Sequence, residues 1–196
     1  MNDLELTLPQ MTTNIIFVRH AQPVYGEDDR NRPLSEAGLI NRKIVLETLK
    51  HRKIDAFLSS PYKRSMDTIR PLAEYFGMDI ITDERLRERK AGSYEADLLE
   101  KRWLDFSFAE DDGECLESVQ HRNMEALYEI LGVYKGKTIV IGTHGTALST
   151  ILNHYDNSFG VNDFLRIVNW MPYIVEMHFD GDRLVELKEL AHGMSE

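Results

Sequence analysis

Residues 15–21 read Ile15-Ile16-Phe17-Val18-Arg19-His20-Ala21, and the fold turns on this stretch. Four apolar residues in succession, three of them β-branched, read as a buried strand. An arginine and a histidine stand at its end. Open α/β sheets bind ligands beyond the carboxyl ends of their strands. The strand therefore carries a fixed cation and a titratable imidazole to the place where chemistry is usually done.

Working outward, the chain alternates strand and helix signals. A polar stretch from Gln22 to Pro33 reads as a loop. Ser35 is an N-cap candidate for a helix with Leu39, Leu46 and Leu49 on its apolar face. Ile54–Leu58 reads as a short strand ending in Ser59-Ser60-Pro61, a helix-start signal. The helix that follows has Tyr62, Met66, Ile69, Ala73 and Phe76 at three- and four-residue spacing. Pro71 predicts a kink within it, and Gly77 ends it. Asp79–Thr82 is a third strand. Residues 83–113 are less regular, rich in charge, and hold Trp103, Phe106 and Phe108. A helix follows Gly113, and Thr138–Gly142 is a further buried strand that runs into Thr143-His144-Gly145-Thr146 and an apolar helix. Tyr173–Phe179 and Arg183–Leu190 flank Asp180-Gly181-Asp182, a hairpin signal.

This alternation predicts a three-layer α/β/α domain with a mostly parallel sheet and an antiparallel edge. Its expected extent is residues 14–196, preceded by a loose arm over 1–13. A small cap insertion is expected at about 93–113. A formal net charge of −10 argues against a nucleic-acid partner. No apolar stretch is long enough to span a bilayer, and no basic run suggests a membrane surface. A single cysteine, Cys115, and a start unlike a signal peptide predict a cytoplasmic protein.

Three strand ends carry polar residues: Arg19 and His20; Ser59, Ser60 and, one turn on, Arg64; and His144 with Gly145. Arg64 falls in the first turn of its helix, where free N–H groups favour an anion. Two arginines and two histidines in an acidic chain make a local site of opposite sign, sized for a phosphate. Arginine suits that task because its fork can hold two phosphate oxygens. A neutral imidazole is a competent nucleophile toward phosphorus. Glu88, in the loop after the third strand, could reach the same face and protonate a leaving oxygen.

The strand plus Arg-His-Ala, the Ser-Ser-Pro-x-x-Arg run, the Leu-x-Glu loop and the strand plus Thr-His-Gly together resemble the histidine phosphatase superfamily. More closely they resemble the branch of cofactor-dependent phosphoglycerate mutase and the bacterial broad-range phosphatases. The motifs stand in the family's order from residue 14 to about 152. The resemblance implies that His20 is the phosphorylated nucleophile and that Arg19, Arg64 and His144 hold the phosphoryl group. It also implies that Glu88 is the proton donor and later activates water. No metal and no cofactor are implied. The implied substrate is a small phosphorylated metabolite, and a homodimer is compatible with the family.

The sequence departs from the mutases in places. Ala21 replaces the usual glycine, Gln22-Pro23 replaces an acidic-hydroxyl pair, Gly26 replaces an asparagine, and Ala91 stands where mutases have tyrosine. The paired arginines of the mutase insertion have no counterpart in 93–113. A metal-independent phosphatase is therefore expected ahead of two alternatives: a mutase-type phosphoryl transferase, and a catalytically impaired phospho-ligand-binding member. Arg122 and the run Glu110-Asp111-Asp112 are expected to be solvated, and Cys115 to stand in for serine.

Overall fold

The computed structural model of the protein describes residues 12–26, 28–92 and 97–195. Strand β1 spans Thr13–Arg19 and is followed by helices α1 (Glu36–Asn41) and α2 (Lys43–Leu49). Then come β2 (Ala56–Ser59), α3 (Lys63–Phe76) and β3 (Ile80–Thr82). Helices α4 (Asp97–Leu104) and α5 (Leu116–Val133) precede β4 (Thr138–Thr143). The chain continues through α6 (Gly145–Tyr155), α7 (Val161–Ile167), β5 (Trp170–Asp180) and β6 (Arg183–Met194). The strands form one sheet in the order β3-β2-β4-β1-β5-β6. The first four of these are parallel, and the β5–β6 hairpin adds an antiparallel edge.

The continuous apolar run of β1 follows from its place in the middle of this sheet. Ile15 and Phe17 face a core built with Leu127 and Ile130 of α5 and Leu148 and Ile151 of α6. Ile16 and Val18 face the opposite core, with Val45 and Leu49 of α2 and Ile69 and Leu72 of α3. With both faces covered, alternation has no role, and every position from Ile15 to Val18 is apolar. This is the three-layer arrangement expected. Among the described residues, no helix is long and apolar enough to cross a membrane.

Several local expectations are corrected. β1 begins at Thr13, inside the span read as an arm, and residues 1–11 lie outside the described residues. The helix capped by Ser35, whose Oγ accepts from Gly38 N–H at 3.1 Å, is divided at Arg42. Its Leu39 is 44% exposed rather than part of the apolar face. β2 starts two residues later than read. Pro61 precedes the helix, with Tyr62 as the N-cap. α3 runs through Pro71 to Gly77, which adopts φ 64° as its C-cap. Pro71 has no N–H to offer the Asp67 carbonyl, and Arg42 Nη1 donates to that oxygen instead, at 3.0 Å. Helices α4 and α7 went unread in the sequence. Trp103 of α4 packs on Phe106, Phe159 and Phe164, joining the two.

Candidate active site

The parallel register aligns three carboxyl ends. Arg19 pairs with Thr143 across β1 and β4, and Ser59 with Gly142 across β2 and β4. Beyond them, His20 N–H donates to the Thr143 carbonyl at 3.1 Å and Ser60 N–H to the Gly142 carbonyl at 3.0 Å. Arg19, His20, Ser60 and His144 thus leave the sheet side by side. Arg64 joins them from the first turn of α3. All five residues are buried, and the His20 and His144 rings lie edge to face with centroids 5.2 Å apart.

A closed circuit of hydrogen bonds fixes His20. Its Nδ1 donates to the Ala21 carbonyl at 2.8 Å, which as a pure acceptor sets the tautomer. Ala21 N–H donates to Thr68 Oγ1 at 2.9 Å, and the Thr68 hydroxyl donates to the Arg64 carbonyl at 2.7 Å. Arg64 Nε–H then donates back to His20 Nε2 at 3.2 Å. The lone pair is therefore on Nε2. Burial first, and then the charges of Arg64 and Arg19, hold the His20 pKa well below its ordinary value. Burial and Arg64 do the same to His144.

His144 Nε2 lies 2.7 Å from Ser60 Oγ. That oxygen already accepts from Tyr62 N–H at 3.2 Å, so its hydrogen is free for the imidazole. His144 Nδ1 and Arg19 Nε are buried without a protein partner. Arg19 Nη1 donates to the Ile167 carbonyl at 2.7 Å, and burial lowers its pKa to about 10. The guanidinium lies so close under α6 that a Cβ at Gly145 would come within 3.1 Å of it and press on Arg19.

Glu88 reaches the same face. Its carboxylate accepts from Thr146 N–H and Ala147 N–H, both at 3.1 Å, and from Arg89 N–H at 2.8 Å. It thus sits on the free N–H groups that open α6. A cavity of about 400 Å³ adjoins it, lined by Tyr25, Asp29, Arg32, Arg89 and Thr146 among others. His20 keeps 6% exposure and is not among the lining residues. Trp103, Phe106 and Phe108 do not line this cavity either. Among the described residues, no group of three or more His, Cys, Asp or Glu is placed to hold a metal ion.

Two charged residues read as solvated are not. Arg122 donates to the carbonyls of Arg85, Arg87 and Glu88 at 2.7, 2.6 and 3.1 Å and pairs with Glu114 at 2.8 Å. It holds the main chain from which Glu88 projects. Glu110 is nearly buried between Arg89 and Arg102. The sequence held one signal for Arg122: Glu114 stands eight residues earlier, just before α5, where its side chain can lie across the first turns. Arg122→Ala is expected to destabilise the fold by about 2–3 kcal/mol in urea denaturation, because three carbonyls and a carboxylate lose their donor together. Arg122→Lys should not restore it, since one ammonium cannot span a fork's set of acceptors.

The buried histidines also make stability depend on pH. Unfolded, each takes a proton near its ordinary value of 6.5; folded, each does so only well below that. The unfolded state therefore binds more protons between those limits, and stability present above pH 6.5 is lost as pH falls. Each histidine contributes up to about 1.4 kcal/mol per pH unit in that window. Urea melts at pH 7.5, 6.0 and 5.0 should show this slope, and His144→Asn should make it shallower.

The family model of the histidine phosphatase superfamily (branch 1) matches residues 15–189. A metal-independent phosphoserine phosphatase of Arabidopsis thaliana is 28% identical over 71% of this chain and 67% of its own length. A bifunctional protein of Mycobacterium tuberculosis is 28% identical over 89% of this chain, which spans about half (53%) of that longer protein. In fold, the chain is similar to a phosphoserine phosphatase of Entamoeba histolytica solved with 3-phosphoglyceric acid. That likeness has a TM-score of 0.73 at 19% identity, over 93% of this chain and 98% of that one. The motifs at the strand ends, the sheet that aligns them and the extent of the match agree, and the chain belongs to the histidine phosphatase superfamily (branch 1), among its phosphoric monoester hydrolases.

Proposed function

We propose that this protein hydrolyses a small phosphomonoester without a metal, through a phosphohistidine on His20. The observation that carries this reading is the His20 circuit: a neutral imidazole whose Nε2 lone pair is held by the side chain of Arg64. In the first step the Nε2–P bond forms as the ester P–O bond breaks. Glu88, protonated, gives its proton to the leaving oxygen. The Arg64 Nε–H keeps its proton and turns its hydrogen bond from Nε2 to a phosphoryl oxygen as attack begins. Arg19 Nε and His144 Nδ1, buried donors without protein partners, complete the set for the equatorial oxygens. In the second step Glu88 takes a proton from water, the water oxygen bonds to phosphorus, and the N–P bond breaks to release phosphate.

We read 93–113, of which 93–96 lie outside the described residues, as an insertion that caps the sheet's carboxyl end, and the single cysteine supports a cytoplasmic setting. The test is turnover of p-nitrophenyl phosphate in excess chelator, with rapid quenching to trap an acid-labile, base-stable phosphoenzyme. A chelator-abolished activity, or a turnover with no such intermediate, counts against the proposal.

A further inference from the structure

The anion-binding arginine of the site is already engaged by a carboxylate of the protein's own. Arg64, 1% exposed, donates through Nη1 to the Asp29 carbonyl, and the same nitrogen lies 3.3 Å from Asp29 Oδ1. Oδ1 also pairs with Arg32, whose guanidinium faces the Tyr25 ring at 5.8 Å. Asp29 and Arg32 both line the cavity beside Glu88, and the Asp29 side chain is 41% exposed there. The cavity's other arginine, Arg89, pairs with Glu110. Both arginines that line the cavity thus have a carboxylate partner. Asp29 in addition competes for Arg64 itself.

We infer that Asp29 is a specificity-determining residue. Its carboxylate opposes a second anionic group in the substrate tail and speeds the loss of inorganic phosphate from Arg64. The site would then favour phosphomonoesters with an uncharged or cationic tail over those with a carboxylate or a second phosphate near the ester. This rests on the phosphatase reading above for its substrate term, but its phosphate term stands without it.

The test is calorimetric binding of inorganic phosphate to wild type, Asp29→Asn and Asp29→Ala at pH 7.5, at low and high salt. Removing one carboxylate from a partly exposed anion site should tighten phosphate about tenfold at low salt, and much of the gain should vanish at high salt. The second arm is the ratio of kcat/KM for p-nitrophenyl phosphate to that for 3-phosphoglycerate. In Asp29→Asn it should move toward the carboxylate-bearing ester, because Arg32 is left uncountered. Unchanged or weaker phosphate binding in both variants overturns the inference and leaves Asp29 as a structural partner of Arg64. Absence of turnover in the wild type would instead sink the phosphatase reading, while the calorimetry still decides the role of Asp29.

Discussion

His20→Ala lowers kcat/KM for p-nitrophenyl phosphate by about 10⁴-fold or more, and no phosphoenzyme is trapped. This outcome is expected because the proposed mechanism makes the imidazole the reacting group itself, and loss of a nucleophile costs more than loss of any group that assists it. The fold should survive. His20 sits just beyond β1, and its main-chain bond to Thr143 does not need the ring. Circular dichroism and a urea melt check this. A variant that keeps a tenth of wild-type activity would remove His20 from the nucleophile's role. His20→Asn is the useful companion, since its amide keeps a donor for the Ala21 carbonyl but cannot form phosphohistidine.

Glu88→Gln should come next in size, with a loss of about 10²- to 10⁴-fold on alkyl phosphates. The loss should be much smaller on p-nitrophenyl phosphate in the first step, because that leaving group departs without help. The contrast between the two esters is the diagnostic. The geometry adds a second effect. Both Glu88 oxygens accept main-chain N–H groups, one from Thr146 and the other from Ala147 and Arg89. An amide nitrogen cannot accept, so the glutamine variant leaves one α6 N–H unpaired or turns away. An equal loss on both esters would mean that Glu88 acts through α6 and not as an acid.

The motif residues were legible because each stands at the end of a strand that is apolar along its length. Ile15–Val18 and Thr138–Gly142 have no other reading in an α/β chain, and the positions of His20 and His144 follow from them. The hairpin was legible from Asp180-Gly181-Asp182 for the same local reason. What was not legible depends on distance in space. Arg122 and Glu110 look like any surface charges until the carbonyls of Arg85, Arg87 and Glu88, and the side chain of Arg89, are brought to them by chain segments that propensity does not connect. Arg42 covering the carbonyl that Pro71 leaves free is a similar case. α7 is only seven residues long and carries no strong period, and Trp103 of α4 finds its partners in Phe159 and Phe164, more than fifty residues on. Asp29 lies in a stretch legible only as a polar loop, and nothing local says that a carboxylate will settle on Arg64.

The two flanks of the irregular stretch after Glu88 come back together. Glu114 N–H donates to the Lys90 carbonyl at 2.9 Å, and a Cβ at Gly92 would lie 3.1 Å from Gly113 N. With Glu110 paired to Arg89 as well, the meeting flanks hold the main chain just after Glu88 from both sides, so the position of Glu88 is tied to a closure made far from any strand.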